Sequence, residues 1–337
     1  MGDSEENTEL SVNMQLTRIF EEILAYYKLD KEPHRARAFT NAIDFVREHP
    51  TIITSGKEFV KQYKGVGKSV AAEIDEYIKI GTTQRVEALR DKHKDIYRLQ
   101  KELETHNVYG IGPATIIKLH KAGVEKLSDL KKPKYYDKLT HAQQLGVTYM
   151  EDINTRIPRA EMKQINDELK TVLDGLTWSI TGSFRRKEPD SGDIDILFRG
   201  KNMESYDIVK ILKKNKLIVG DLAIGKNSYR GLIKLDPESI VHRLDILVIP
   251  PESYAYALLY FTGSQRFNIL MRARALEFGL TLNEKTMSDL NDEDDTYEAE
   301  TERDIFDLLE VEYLKPKDRI RNLDRLDTYS DGGDESD

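Results

Sequence analysis

Two segments repeat one pattern about 45 residues apart: YKGVGKSVAAEI at 63–74 and VYGIGPATIIKLHKAGV at 108–124 each set a Gly-x-Gly turn directly before an apolar-periodic helix. Glycine permits positive φ and close approach of the backbone to an outside group, and the following helix opens with unpaired N–H groups. A phosphate fits such a turn, and the helix dipole adds attraction. The turn carbonyls of Tyr63, Gly65 and Val66, and those of Val108 and Ile111, suit a monovalent cation, Na⁺ or K⁺, bridging to DNA. One copy reads as well as a turn that merely closes a helix. Two copies point to helix–hairpin–helix clamps that hold a DNA backbone without reading its sequence. Gly65, Gly67 and Lys68 belong to the first clamp, Gly110 and Gly112 to the second.

A net charge of −9 argues against a nucleic-acid partner only if it is evenly spread. From Glu284 onward 20 acidic residues face 7 basic ones, which leaves 44 basic and 40 acidic residues in 1–283. The bulk of the chain is mildly basic, and phosphate affinity comes from local Lys/Arg patches. Cysteine is absent, which excludes disulfides, Cys-ligated zinc and thiol nucleophiles. No apolar run approaches the roughly 18 residues of a membrane span, and MGDSEENTEL is not a signal peptide. A soluble intracellular monomer is expected.

The periodicity changes along the chain. LTRIFEEILAYY sets Leu16, Ile19, Phe20, Ile23, Leu24 and Tyr27 on one helical face, and PHRARAFTNAIDFVREHP reads as a helix between prolines with His34, Arg35 and Arg37 at its start. After NTRIPRAEM the period becomes two, in LTWSITGSFRR, DIDILF, GLIKLD and HRLDILVI, so a sheet domain occupies roughly 160–250. Helical patterning returns from 253.

TGSFRRKEPDSGDIDILF carries the chemistry. Asp193 and Asp195 stand two apart on an expected strand and project from one face, where two carboxylates require a cation. The oxygen-only donor set suits Mg²⁺, as two ions, with Mn²⁺ as the substitute. Asp245, within HRLDILVIP, suits an adjacent strand reaching the same point. A solvated strand face accounts for two such aspartates but poorly for three. Gly182 and Gly192 allow close backbone approach, the Ser183 hydroxyl can bond phosphate oxygens, and Arg186 supplies fixed charge. Phosphates and two metals at one sheet edge mean in-line nucleotidyl transfer to a 3′-hydroxyl.

With these residues in place, the sequence resembles the X family of DNA polymerases, most of all its polymerase beta branch, from about residue 14 to 320. GVGKSVAAEIDEYI, GIGPATIIKLHKAGV, RIPRAEM, GSFRR with SGDIDIL, HRLDIL, LYFTGSQRFNILMRARALEFGLTLNE and KPKDR carry the resemblance in family order. It implies an α+β multidomain fold: a disordered leader (1–12), a helical lyase-like DNA-binding domain with the first helix–hairpin–helix (13–95) and a second helix–hairpin–helix domain (96–158). A nucleotidyltransferase palm with a mixed sheet (159–252), an α/β nascent-pair-binding domain (253–323) and an acidic disordered tail (324–337) follow.

The resemblance further implies that Asp193, Asp195 and Asp245 bind the catalytic metals and that Arg156, Ser183, Arg186 and Gly192 contact the triphosphate. Tyr260, Phe261 and Gly263 match the segment that crowds a 2′-hydroxyl. Gln265 and Asn268 lie at the incoming nucleotide, Arg272 at the template strand, Arg243 at a primer phosphate, and Asn283 and Glu284 in the strand below the new pair. The implied partners are gapped or nicked duplex DNA and deoxynucleoside triphosphates, in the nucleus or, for a viral protein, the cytoplasm. The implied activity is template-dependent gap filling during repair. A template-independent terminal transferase is the alternative within the family, against which the short DPESIV connection speaks; a noncatalytic DNA-end scaffold is the alternative outside it.

Several positions depart from the family pattern. Gln265 stands where the beta branch has Asp, and Leu247 where it has Arg. Glu73 stands at the position of the lysine that attacks the sugar aldehyde in family members with 5′-deoxyribose-phosphate lyase activity, Ser69 at that of a phosphate-binding lysine, and Phe39 at that of a tyrosine. A carboxylate forms no Schiff base. Lys68, five residues before Glu73 and about 140° around the helix, and Lys64 are the remaining candidate nucleophiles, and a solvated amine with a pKa near ~10.4 is a poor one. The alternative is a domain reduced to 5′-phosphate binding by His34, Arg35 and Lys68, with Glu73 an ordinary surface residue.

Overall fold

The computed structural model describes residues 12–49, 52–292, 294–321 and 323–326, so the expected leader and acidic tail lie almost wholly outside the described residues. The chain divides into two compact units between Thr148 and Tyr149.

The first unit is helical: α1 (Val12–Leu29), α2 (Pro33–Glu48), α3 (Gly56–Gln62), α4 (Lys68–Ile80), α5 (Gln84–Lys92), α6 (Lys94–Thr105), α7 (Pro113–Lys121), α8 (Pro133–Tyr136) and α9 (His141–Thr148). The apolar stripe of α1 buries Leu16, Phe20 and Ile23 completely, and Phe20 meets Phe39 of α2 edge-on at 5.3 Å. Each such side chain contributes about 1.5–3 kcal/mol. The repeated glycines adopt one conformation twice. Gly65 and Gly110 take φ of +89° and +75°, while Gly67 and Gly112 are extended N-caps with φ −103° and −97° and ψ 178° in both. A side chain at Gly65 or Gly110 would strain the turn. The first hairpin is also tightly closed: a Cβ on Gly56 would lie 2.0 Å from the Ala71 carbonyl oxygen.

The second unit begins with α10 (Met150–Asn154), ahead of the break expected at 158/159, because this segment is bonded to the sheet that follows. The Val241 N–H donates to Asp152 at 3.2 Å, and β1 (Ile157–Pro158) pairs with β3 (Asp190–Ser191). Next come α11 (Arg159–Val172), β2 (Trp178–Ile180), α12 (Gly182–Arg185), β4 (Ile194–Arg199), α13 (Ser205–Lys214), β5 (Ile218–Ile224), β6 (Ser228–Ile233) and β7 (His242–Ile249). The five-stranded sheet has the order β2-β4-β7-β6-β5 and is mixed, since β4 and β7 run parallel and the other pairs antiparallel.

Along β7 the residues alternate between buried and half-buried, with Leu244, Ile246 and Val248 in the core and Arg243, Asp245 and Leu247 on the other face. Ile194, Ile196, Ile208, Leu212 and Tyr229 complete that core. A second core forms around α14 (Tyr254–Thr262), α15 (Gln265–Glu277), α16 (Glu302–Leu308) and an antiparallel sheet of β8 (Leu280–Leu282), β9 (Met287–Asp289) and β10 (Thr296–Tyr297).

Candidate active site

Parallel pairing of β4 with β7 sets Asp195 directly opposite Asp245. Asp193 stands just ahead of β4, so the three carboxylates, all half-buried, gather on the adjacent strands β4 and β7. Burial pushes the Asp195 carboxyl up to about 7, and the Asp193 and Asp245 charges add to this while Arg243 and Arg186 oppose it. Burial also raises the Asp245 carboxyl, against the pull of Arg230.

Two arginines hold the flanking carboxylates. Arg243 Nη2 donates to Asp193 at 3.0 Å, and Arg230, opposite Asp245 in the β6–β7 register, comes within 3.7 Å of it. With Asp193 and Asp245 drawn to these arginines, no group of three acidic or histidine side chains among the described residues forms a closed metal cage. The donor chemistry still fits a divalent ion: all donors are oxygens, and their repulsion is what such an ion would relieve.

Beside the carboxylates lies a cleft of about 540 Å³. It is lined by Arg156, Gly182, Ser183, Arg186 and Gly192, from the segments around α12 and β3, and by Tyr260, Phe261, Gly263, Gln265, Asn268 and Arg272, from α14, α15 and the turn between them. Every residue expected at the nucleotide therefore lines one cleft with Asp193 and Asp195, and Arg272 joins them. Asp245 lines an adjoining pocket of about 120 Å³ with Asp195, Arg230 and Phe261.

Local structure explains the placement. Gly182 has φ +55°, and a Cβ there would meet Asp195 Oδ2 at 3.1 Å; Gly263 has φ +59°, and its Cβ would meet Arg186 Nη1 at 3.4 Å. Ser183 Oγ donates to Ser191 Oγ at 2.8 Å, and Arg156 Nε donates to Asp190 at 2.7 Å. Asn268 Nδ2 donates to the Tyr260 carbonyl at 2.7 Å, the Arg272 guanidinium lies over the Tyr260 ring at 5.9 Å, and Tyr260 and Phe261 meet edge-on at 5.1 Å. The Gly263–Ser264 peptide is cis.

Asn283 and Glu284 do not continue β8 as expected. They form the turn to β9, because the Asn283 side chain accepts the N–H groups of Lys285 at 2.8 Å and Thr286 at 3.0 Å. Neither lines the cleft. Glu188 does, and its carboxylate accepts from Arg186 Nε at 2.7 Å; no spacing in the sequence singles it out. Arg230 was legible in principle, through alternation along β6.

In the helical unit His34, Arg35, Lys64 and Lys68 are exposed. Arg35 pairs with Glu32 at 2.8 Å and lies over the Tyr27 ring at 5.8 Å. The Val108 carbonyl accepts the Ile111 N–H at 3.4 Å, and Gln143 donates to the Gly110 carbonyl at 2.9 Å. Glu73 is not the surface residue of the simpler expectation: its side chain is 5% exposed and receives Arg85 Nε at 2.6 Å. Arg85 also donates to Tyr27 at 2.6 Å and Ser69 at 3.0 Å. Arg85 belongs to no motif; only its position in the next helix marks it.

Comparison with known proteins accounts for nearly the whole chain. Four family models match in order: a helix-hairpin-helix domain at 11–83, the fingers domain of DNA polymerase lambda at 105–154, the DNA polymerase beta palm at 156–251 and the DNA polymerase beta thumb at 257–320. DNA polymerase lambda of Arabidopsis thaliana is 29% identical over 336 residues, and that of Rattus norvegicus 27% over 331, each alignment spanning 91% of this chain. The aligned part covers 62% and 56% of those two proteins, so the chain spans less than two thirds of their length. DNA nucleotidylexotransferase of Xenopus laevis is 26% identical over 353 residues, covering 91% of this chain and 68% of the relative. The first two of these relatives and the fingers model carry the lambda name, while the beta name appears in the palm and thumb models. No helix among the described residues is long and apolar enough to cross a membrane. With palm, thumb, fingers and helix-hairpin-helix models succeeding one another along it, the chain belongs to family X of the DNA polymerases.

Proposed function

We propose that the protein is a template-dependent DNA polymerase that fills short gaps in duplex DNA during repair, as a monomer, in the nucleus or, for a cytoplasmic DNA virus, in the cytoplasm. The observation that carries this reading is the register of Asp195 with Asp245 beside one cleft that gathers the phosphate-facing and sugar-facing residues. Arg156, Ser183, Arg186 and the Gly192 backbone take the triphosphate of a deoxynucleotide. Tyr260, Phe261 and Gly263 crowd the 2′ position, Gln265 and Asn268 meet the incoming base, and Arg272 meets the template strand. Asp193 and Asp195 would hold two Mg²⁺ ions, or Mn²⁺ in their place, which lower the 3′-hydroxyl pKa and offset the charge of departing pyrophosphate. Asp245 accepts the proton leaving the 3′ oxygen, and Arg243 holds a primer phosphate.

The two glycine turns hold DNA on either side of the gap, with Na⁺ or K⁺ at their carbonyls, and His34, Arg35 and Lys68 face the 5′-phosphate. Glu73 leaves the helical unit without the family's Schiff-base lysine. The connection between β6 and β7 spans only 234–241, which favours template use over the untemplated addition of a terminal transferase. Asp195→Ala should abolish Mg²⁺-dependent extension into a 5′-phosphorylated gap while leaving DNA binding intact. Equal extension by both proteins would refute the reading.

A further inference from the structure

Glu302 is the hub of a buried ionic network that none of the assigned roles uses. Arg185 Nη1 and Nη2 donate to its two carboxylate oxygens at 2.9 and 2.7 Å, and Arg319 Nη1 donates to Oε1 at 2.7 Å. The Glu302 side chain is 5% exposed and that of Arg319 is fully buried. Arg319 is wedged against the Phe267 and Phe306 rings at 4.8 and 5.5 Å, with Nε on the Leu314 carbonyl at 3.0 Å. Burial raises the Glu302 carboxyl, but its bonds to Arg185 and Arg319 outweigh this and hold it below the ordinary glutamate value.

The network joins the two walls of the cleft. Arg185 closes α12, the short helix that carries Ser183 and leads into Arg186. Arg185 Nη1 also donates to the Thr262 hydroxyl at 2.6 Å, and Arg186 Nη1 donates to the Thr262 carbonyl at 2.6 Å. Thr262 sits between Phe261 and Gly263, the sugar-facing residues. One residue beyond Gly263, Ser264 Oγ donates to the Arg319 carbonyl at 2.8 Å. A closed circuit therefore runs from α12 through Thr262, Ser264, Arg319 and Glu302 back to Arg185. Buried ion pairs of this kind return little stability compared with well-packed apolar groups, because desolvation offsets the attraction.

We propose that Glu302 is a positioning residue: through Arg185 and Arg319 it fixes the register between the phosphate segment 182–186 and the sugar-facing turn 260–264, and so sets discrimination against ribonucleotides. It touches no substrate. The inference rests on the polymerase reading, because sugar selection has meaning only for a nucleotide held by both walls. A shift of a fraction of an ångström between the walls alters the space at the 2′ position while the triphosphate stays bound, and misplacement on the 1 Å scale costs on the order of 10²-fold.

The test is single-turnover incorporation of deoxy- and ribonucleotides on gapped DNA by the wild type, Glu302→Gln, Arg185→Lys and the double variant, with melting temperatures measured alongside. Each single variant should lower the deoxy-to-ribo preference by about tenfold and raise the apparent deoxynucleotide KM, with kcat within about threefold. The double variant should be no worse than the weaker single, since the two residues act as one unit. Thr262→Val, nearly isosteric, removes only the hydroxyl link and should move the preference in the same direction even if Glu302→Gln does not fold. An unchanged sugar preference in the folded variants, with only the melting temperature reduced, overturns the positioning role. A wild type that adds no deoxynucleotide overturns the polymerase reading, and this role with it.

Discussion

Arg85 Nε donates to Glu73 Oε1 at 2.6 Å, and the same guanidinium reaches Tyr27 and Ser69, so the position matching the family's lyase lysine is filled by a buried carboxylate and its cation. Borohydride treatment of the protein on an incised abasic site should therefore trap no covalent adduct. An adduct that disappears in Lys68→Ala would assign the chemistry to that exposed lysine instead. Without an adduct, Lys68→Ala should still weaken DNA binding and flatten its salt dependence by about 0.9 in log–log slope, one phosphate contact's worth. Glu73→Ala should cost on the order of 1–3 kcal/mol in urea denaturation, less than a fully buried pair, because Arg85 reaches water.

Gly182 is placed where a side chain cannot go without moving a metal-binding candidate. Its φ is +55°, and a Cβ would stand 3.1 Å from Asp195 Oδ2. Gly182→Ala should lower the extension rate on the order of 10²-fold while DNA affinity stays near wild type. Rate and affinity falling together would mean that the substitution disturbs the fold at large.

Burial and the nearby Asp193 and Asp245 charges push the Asp195 carboxyl up to about 7, well above the ~3.9 of an unfolded aspartate. Between these values the folded, metal-free chain holds a proton that the unfolded chain has lost. The contribution to stability is therefore full below about pH 4 and disappears as the pH rises through 7. Asp195→Asn should accordingly melt higher than the wild type at pH 8 without divalent ions, by about 2–4 °C for each kcal/mol relieved, and nearly level with it at pH 4. Adding Mg²⁺ should narrow the difference at pH 8 by stabilising the wild type. A variant less stable at both pH values would show that the carboxylate is not under electrostatic strain.

The parts of this protein legible in its sequence are those where one local pattern fixes one geometry. Period-two alternation in DIDILF and HRLDILVI put Asp195 and Asp245 on matching faces, and the strands pair them in register. The twin glycine turns were visible as a repeat and share their dihedrals. Asn283 was expected in a strand from the family resemblance; β8 instead ends at Leu282, and the Asn283 side chain accepts the N–H groups of Lys285 and Thr286, a local turn that a chain of motifs does not record. The Arg185–Glu302 pair joins residues 117 positions apart, and Arg85 reaches Glu73 from a neighbouring helix. Such ion pairs depend on tertiary packing, and neither period nor spacing records them.

The proposed role of Asp193, Asp195 and Asp245 in templated nucleotidyl transfer is tested by single-turnover extension of a primer across a one-nucleotide, 5′-phosphorylated gap with Mg²⁺, offering each deoxynucleotide separately against each of the four template bases. The expected result is a product one nucleotide longer, formed fastest with the complementary deoxynucleotide in all four cases and absent when EDTA replaces Mg²⁺. Extension indifferent to the template base, or persisting without a divalent ion, would contradict it.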